Sequence, residues 1–207
     1  EAVGGRAIAL GHGMANRLNP LDEGYRPSNF TDAEWESTVA ARRRDLIGAL
    51  AEVVLTRPLT PLEHTAIDTA LTATVRENAV PILLRRLVAG DLAGLFDGPS
   101  TVQFDPTLPM MSLDLSRVTE NSTLISALMT CCSAWMESAL LDPAGGQRWV
   151  IYDEAWRLMS QPSLLRRMDA HWRLARHYGI ANALIFHKLT DLENVGDSGS
   201  AMRSLAN

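Results

Sequence analysis

The sequence predicts an α/β fold: a mostly parallel sheet with flanking helices, interrupted by an inserted all-helical subdomain. After residue 97, short apolar segments with strand character alternate with helical patterns, which is typical of a parallel sheet covered on both faces. Between residues 31 and 97 only helical patterns occur. We therefore expect the start of an α/β core at 1–30, an all-helical insertion at 31–97 and the rest of the α/β core at 98–207.

The first 30 residues are expected to form one strand and one loop. GRAIALG at 5–11 is typical of a short buried strand. The segment at 16–29 is rich in Asn, Pro, Gly and Asp, which indicates a loop.

Helix-start signals open the all-helical insertion. TDAE at 31–34 is a capping box and predicts a helix to about residue 55. TPLE at 60–63 repeats the signal, with Pro61 at the first helical position, and predicts a second helix to about residue 77. A third helix is expected from Pro81 to near Gly90, followed by one more turn at 91–96.

Strands and helices are expected to alternate after residue 97. The strand-like segments are 101–104, 110–115, 148–153 and 180–186. One helix is expected between Asn121 or Ser122, as its cap, and about Leu141. Another is expected to open at Ser160 to Pro162 and to end at Gly179, a residue type common just past a helix C-terminus.

The composition indicates a globular protein with a real core. Hydrophobic residues make up 46% of the 207, and the net charge of −5 argues against a protein that coats nucleic acid. The only cysteines, Cys131 and Cys132, are adjacent, which indicates core residues and a reducing compartment rather than a disulfide framework. No metal-binding motif or secretory signal is present, and the apolar stretch at 124–141 is interrupted by polar residues, as in a buried helix.

Two carboxylates directly follow an apolar strand in RWVIYDEAW, residues 148–156. Parallel sheets bind ligands beyond the carboxyl ends of their strands. Asp153 and Glu154, hereafter the acid pair, therefore have the form of a Walker B element, in which one carboxylate holds Mg²⁺ and the other polarises the attacking water. The alternative is structural: Asp153 ends a strand and Glu154 begins a solvated turn.

The segments around the acid pair resemble a known family. YDEAWRLMSQP and HWRLARHYG, followed by a strand and TDL, are similar to the ATPases of type IV secretion and conjugation, within the HerA/FtsK-like motor group. Four upstream segments resemble the same family in the same order: NRLNPLD (16–22), LTPLEHTAIDTAL (59–71), LFDGPS (95–100) and MMSLDLS (110–116). The resemblance implies a partial RecA-like P-loop core, with the Walker B-like strand in 98–207.

The resemblance also implies roles for five residues. Asp153 would hold the Mg²⁺ of the bound nucleotide through water, and Glu154 would be the catalytic glutamate. Arg173 and Arg176 match the family's paired arginines, one of which can reach the nucleotide of a neighbouring subunit. His187 stands where many relatives carry a glutamine that senses the γ-phosphate, and this difference puts the sensor role in doubt.

Structural alternatives stand beside these roles. The two arginines could lie on a solvated helix face or pair with Asp169, and His187 could be a hydrogen-bonded residue at a strand end. Asp114 ends the strand-like segment MMSLD and could line the same edge, but it is more simply an ordinary loop acid. ARRRD at 41–45 is more simply a solvated helix face than a binding patch. The tryptophans singled out are most simply core or interface anchors: Trp35, Trp135, Trp156 and Trp172.

No Walker A sequence, G-x-x-x-x-G-K-[ST], occurs in the chain. We therefore expect a segment of the motor domain that lacks the phosphate cradle and hydrolyses no ATP alone. Its uncovered sheet edge favours self-association or a covering partner.

The resemblance implies further properties of the full-length protein. They are ATP and Mg²⁺ as cofactors, a hexamer, other secretion or conjugation components as partners, a DNA or protein substrate, and a cytoplasmic location at the inner face of the cell membrane through partners. Two alternatives remain. One is a non-catalytic interaction module of a secretion or transfer complex, with the helical insertion as the binding part. The weaker one is a hydrolase using His187 with Asp191, which lacks a nucleophile.

Overall fold

A computed structural model describes six stretches of the chain: residues 3–11, 13–77, 93–118, 122–140, 142–155 and 162–188. The chain divides into two compact units, Glu1–Ala139 and Leu140–Asn207. Each unit contains a two-stranded parallel sheet. The parallel pairing expected from the sequence is confirmed for both sheets, whereas a single RecA-like sheet and the three domain boundaries stay predictions.

The first unit consists of two strands and three helices within its described residues. They are strand β1 (Arg6–Ala9), helix α1 (Asp32–Leu55), helix α2 (Pro61–Glu77), strand β2 (Met111–Asp114) and helix α3 (Ser122–Leu140), whose last residue begins the second unit. β1 and β2 pair in parallel. The predictions of these five elements are confirmed. The expected third helix at 81–90 lies outside the described residues.

Helix α1 begins where its capping box predicts. The backbone N–H of Thr31 donates to Oε2 of Glu34 over 2.9 Å, and the N–H of Glu34 donates back to Oγ1 of Thr31 over 3.4 Å. These reciprocal bonds satisfy two backbone donors that the first turn of a helix leaves without partners.

One hydrophobic core joins the sheet and the helices of the first unit. Ile8 and Leu10 of the β1 segment, Leu50 of α1 and Leu128 of α3 are all almost fully buried in it. α3 is long and apolar enough to cross a membrane, yet 61% of its apolar window, Thr123–Leu140, is buried. It is the core helix that the sequence predicts.

The two cysteines lie in this core, as the sequence predicts. Cys131 and Cys132 of α3 are buried, and neither forms a disulfide. Burial raises the pKa of the Cys132 thiol to about 12. This thiol therefore remains protonated and serves as a small apolar side chain.

The segments that precede and follow the helical block are bonded to each other. The N–H of Arg17 donates to Oγ1 of Thr101 over 2.9 Å, and the N–H of Thr101 donates to the carbonyl of Arg17 over 3.2 Å. The N–H of Asn19 donates to Oγ of Ser100 over 2.8 Å, and the N–H of Ser100 donates to Oδ2 of Asp22 over 2.9 Å. Two segments that carry the family resemblance thus meet in space.

The strand predicted at 101–104 is wrong. The residues alternate between exposed and buried, as in a strand, because Val102 packs into the core and Phe104 makes an edge-to-face contact with Trp135 at 5.7 Å between ring centroids. Thr101 is bonded to the loop around Arg17 rather than to a strand. Residues 101–104 therefore alternate in burial but have no partner strand, and they lie outside both sheets.

The arginine run at 41–45 differs from the solvated face that the sequence predicts. Arg43 Nε donates to the carbonyl of Leu21 over 2.6 Å. Arg42 lies over the ring of Trp35, 5.5 Å from its centroid, and donates to the carbonyl of Glu23. Two of the three arginines therefore fasten the loop before α1 to that helix.

Within its described residues, the second unit contains a β–helix–β segment. After a 3-10 turn at Pro143–Gly145 come strand β3 (Arg148–Tyr152), helix α4 (Pro162–Ala175), a second 3-10 turn at Arg176–Tyr178 and strand β4 (Ile180–Leu184). The two strands are parallel, with Arg148 opposite Ile180 and Tyr152 opposite Leu184. The expected helix thus ends earlier, and Gly179 follows the 3-10 turn with a left-handed φ of +65°.

Strand β3 is less buried than its apolar sequence predicts. Val150 is buried, as are Met168 and Ala175 of α4. Trp149 and Ile151, which alternate with Val150 along the strand, are 72% and 60% exposed. The expectation that β3 is covered on both faces is therefore wrong for the face that carries Trp149 and Ile151.

Candidate functional site

The acid pair loops out of the sheet at the carboxyl end of β3. The N–H of Ile185 donates to the carbonyl of Tyr152 over 2.9 Å, and the N–H of Ala155 donates to the carbonyl of Ile185 over 3.0 Å. Both bonds attach β3 to the end of β4. Because the pairing includes Tyr152 and Ala155 but neither residue between them, Asp153 and Glu154 project beyond the edge of the sheet.

The backbone of this turn is held in an uncommon conformation. Glu154 has a φ of +51°, in the left-handed region that residues other than glycine rarely occupy. Oδ1 of Asp153 accepts the N–H of Glu154 over 2.9 Å, and Ala155 is almost fully buried. Such conformations persist where neighbouring structure holds them, and they are frequent at functional sites.

His187 lies at the same edge of the sheet as the acid pair. It is exposed in a bend three residues after Leu184, the last residue of β4. Since β3 and β4 are parallel and Tyr152 is opposite Leu184, both strands end at this edge. The fold therefore places three of the five residues that the resemblance singles out after the ends of two paired strands, at one edge of the sheet.

The two arginines lie on the connection between the strands. Arg173 is on α4, and its side chain is 70% exposed. Its Nε donates to Oδ2 of Asp169 over 3.0 Å, one helical turn earlier. The ion pair that the sequence offered as a structural alternative is present, and an exposed pair of this kind contributes little to stability.

Arg176 begins the 3-10 turn that leads into β4. It lies four residues before Ile180, the first residue of that strand. The position of Arg176 in the chain is therefore at the amino end of β4, whereas the acid pair follows the carboxyl end of the neighbouring parallel strand.

An aromatic contact next to the acid pair, between Tyr152 and Trp172, was not predicted from the sequence. The rings of Tyr152 and Trp172 are 6.4 Å apart between centroids, with an interplanar angle of 46°. Burial raises the pKa of the Tyr152 phenol. Tyr152 precedes Asp153 and Trp172 precedes Arg173. In both segments an aromatic residue directly precedes a site candidate, and this pattern in the sequence could have identified the pair.

The remaining sequence candidates have structural explanations. Oδ1 of Asp114 accepts the backbone N–H of Ser116 over 2.9 Å, and this hydrogen bond lowers the pKa of Asp114. Asp114 is the last residue of β2 and lies opposite Ala9, so it ends a strand rather than lying in a loop, and its carboxylate is engaged by the turn that follows. Trp35 is buried, Trp135 packs against the core of the first unit, and Trp156 and Asp191 lie outside the described residues.

The acid pair suits a hard cation such as Mg²⁺, which prefers carboxylate and water oxygens. Asp153 is exposed, and Glu154 is half-buried. Across the described stretches, no group of three or more His, Cys, Asp or Glu is arranged to hold a metal ion by itself.

Comparisons with known proteins place the fold. No protein-family model and no curated protein matches the chain. The structure is similar to that of VirB4 of Thermoanaerobacter pseudethanolicus, with a TM-score of 0.70 and 20% sequence identity. The match covers 97% of this chain and 62% of the VirB4 chain, so this chain spans less than two thirds of that protein. The chain therefore has the fold of VirB4, which confirms, at the level of the fold, its resemblance to the ATPases of type IV secretion.

Proposed function

We propose that this chain is part of the motor domain of an ATPase that powers type IV secretion or conjugative transfer. The observation that carries the proposal is the acid pair, which projects at the carboxyl end of a parallel strand in a chain with the fold of VirB4. That edge is where parallel sheets bind ligands. A motor of the secretion machinery is the function that fits both the fold and the site.

The acid pair would divide the chemistry between its two carboxylates. Asp153 would hold a Mg²⁺-bound water, and Glu154 would orient and polarise the water that attacks the γ-phosphate of ATP. The magnesium ion itself neutralises charge on the phosphates. His187, at the same edge, would donate a hydrogen bond to the γ-phosphate, in the place where relatives use glutamine. A general base in the role proposed for Glu154 increases the rate by about 10²- to 10⁴-fold.

Arg176 would act on the nucleotide of a neighbouring subunit. Its position at the amino end of β4, away from the edge that carries Asp153 and Glu154, favours action between subunits rather than within one. This arrangement requires a head-to-tail assembly, which closes into a ring, and the proposal is a hexamer. Arg173, whose exposed side chain is paired with Asp169, would exchange that partner for a phosphate oxygen.

The phosphate cradle would come from another part of the protein. The chain contains no glycine-rich loop followed by lysine and Ser or Thr, and such a loop supplies the amides and lysine that hold the phosphates. We therefore propose that this chain alone hydrolyses no ATP. In the full-length protein the cofactors would be ATP and Mg²⁺, the partners other secretion or conjugation components at the inner face of the membrane, and the substrate a protein or DNA.

ATP turnover by the full-length protein tests the proposal. We expect Glu154→Gln to lower kcat by about 10²-fold or more while nucleotide binding is retained, because the amide cannot accept a proton from water. Glu36→Gln, an exposed position on the helical block, is the matched control and should keep wild-type turnover. Unchanged turnover in Glu154→Gln would make the acid pair structural. No turnover in the wild-type protein would favour a non-catalytic interaction module.

A further inference from the structure

We propose that Trp172 is a positioning residue that acts on the acid pair through Tyr152. The aromatic pair joins the two segments that carry the candidate chemistry: Tyr152 is bonded to Asp153 in the chain, and Trp172 to Arg173. The centroid distance of 6.4 Å is within the range of favourable aromatic contacts. The effect of Trp172 on the conformation of the turn does not depend on the proposed function. Only the expected effect on ATP turnover rests on that function.

The described contacts of the turn that carries the acid pair lie on two sides. On the strand side, the carbonyl of Tyr152 and the N–H of Ala155 are both bonded to Ile185 of the β4 segment. On the helix side, the ring of Tyr152 contacts the ring of Trp172. Since Glu154 has a left-handed φ, small shifts at either end of the turn alter where its carboxylate points.

The indole of Trp172 approaches the Tyr152 phenol closely enough to lower the phenol's pKa against the larger effect of burial. Its buried Nε1 nevertheless makes no hydrogen bond of full geometry among the described residues. A buried donor this poorly satisfied is unfavourable, so a phenylalanine would serve packing alone at least as well. The role of the residue therefore lies in its ring and in where that ring sets Tyr152, and phenylalanine should preserve it.

Hydrogen exchange at single amides tests this without any nucleotide. The amides of Ala155 and Ile185 report the turn, and the amide of Arg148, which donates to the carbonyl of Gly179 over 3.1 Å, reports the opposite end of the same strand pair. In Trp172→Leu we expect exchange to be at least about tenfold faster at Ala155 and Ile185, with little change at Arg148, because local opening is separable from global unfolding.

Two matched variants complete the test. Trp172→Phe should restore wild-type exchange at the turn. Trp149→Leu makes the same change at the exposed tryptophan of β3, which is 72% exposed, and should leave the turn amides as they are. Equal acceleration at all three amides in Trp172→Leu would mean that Trp172 only stabilises the unit and would overturn the proposal. No acceleration at Ala155 and Ile185 would overturn it as well.

The kinetic consequence belongs to the full-length protein. Trp172→Leu should lower kcat for ATP with KM nearly unchanged, because a misplaced base affects the transition state more than binding. A rise in KM with kcat unchanged would contradict positioning of the base. If the wild-type protein hydrolyses no ATP, the proposed function fails, while the exchange measurements still decide whether Trp172 sets the turn.

Discussion

The guanidinium of Arg42 on α1 donates to Oγ of Ser138 on α3 over 2.6 Å. The same side chain donates to the carbonyl of Asp22 over 3.2 Å and lies over the ring of Trp35. One arginine thus ties together two core helices and the loop whose sequence, NRLNPLD, resembles the secretion ATPases. The helical block and the α/β part of the first unit are joined by polar contacts as well as by their common core.

Arg42→Ala should destabilise the first unit. Hydrogen bonds from a charged donor to partly buried acceptors contribute about 1.5–3 kcal/mol each, so we expect the free energy of unfolding to fall by about 2 kcal/mol. Urea unfolding measures the change. Arg44→Ala is the matched control, because Arg44 is half-exposed and its ion pair with Asp68 is long, with 3.9 Å between Nε and Oδ1. Its effect should stay within about 0.5 kcal/mol; equal effects of the two changes would contradict the account.

Two glycine substitutions should have opposite effects on stability. A Cβ at Gly48, inside α1, would lie 3.8 Å from Cδ1 of Leu59, an ordinary contact. Gly48→Ala should therefore stabilise by about 1 kcal/mol, the helix preference of alanine over glycine. A Cβ at Gly5 would lie 2.8 Å from the carbonyl oxygen of Met110, which is too close. Gly5→Ala should destabilise by about 1–3 kcal/mol, and thermal unfolding compares the two.

The start of α2 should give a pH-dependent contribution to stability. Hydrogen bonds from Arg57 and then Thr60 lower the pKa of Glu63 from 4.5 to about 2. A carboxylate with a depressed pKa in the folded state stabilises it above the unfolded value, and the contribution is lost as the pH falls through the folded value. Wild type should therefore be more stable than Glu63→Gln above pH 4.5, with the difference shrinking between pH 4.5 and 2.

Thermal unfolding of both proteins across this pH range measures the effect. Glu36→Gln, on the exposed side of α1, provides the control and should show no comparable loss. A difference between wild type and Glu63→Gln that stays constant from pH 7 to pH 2 would contradict the role of the Arg57 and Thr60 hydrogen bonds.

Mixing two inactive variants of the full-length protein tests action between subunits. Arg176→Ala should lower ATP turnover by about 10³-fold, as loss of an arginine finger does. Mixed with Glu154→Gln, it should regain turnover, since an Arg176 from one subunit can then serve an intact Glu154 in its neighbour. Arg117→Ala, which lies outside the second unit, should keep turnover without mixing. No recovery in the mixture would place Arg176 outside the catalytic interface.

The sequence predicted helix starts well because the responsible contacts are local. Thr31 with Glu34, and Thr60 with Glu63, bond within three residues of each other, so the signal is present in the sequence itself. The false strand at 101–104 shows the limit. The alternation there is real, yet a strand requires a partner, and the partner of Thr101 is the loop at Arg17.

The site could be predicted in position but not in geometry. An apolar run ending in Asp-Glu placed Asp153 and Glu154 at the end of a strand, where they are found. The turn in which Glu154 has its left-handed φ is closed by the bond between Ala155 and Ile185, thirty residues apart in sequence. Contacts at this separation leave no periodic signal in either segment, and the same holds for the Tyr152–Trp172 pair.

The measurement that tests the central claim most directly is Mn²⁺ binding to the full-length protein in the presence of a non-hydrolysable ATP analogue. Mn²⁺ replaces Mg²⁺ because electron paramagnetic resonance can detect its binding. Asp153→Asn should weaken Mn²⁺ binding by about 10- to 100-fold, the effect of removing a group that holds a metal-bound water. Asp105→Asn removes a half-buried loop carboxylate of the first unit and should not weaken Mn²⁺ binding. Equal Mn²⁺ affinity in wild type and Asp153→Asn would contradict the assignment of the acid pair to the metal and nucleotide.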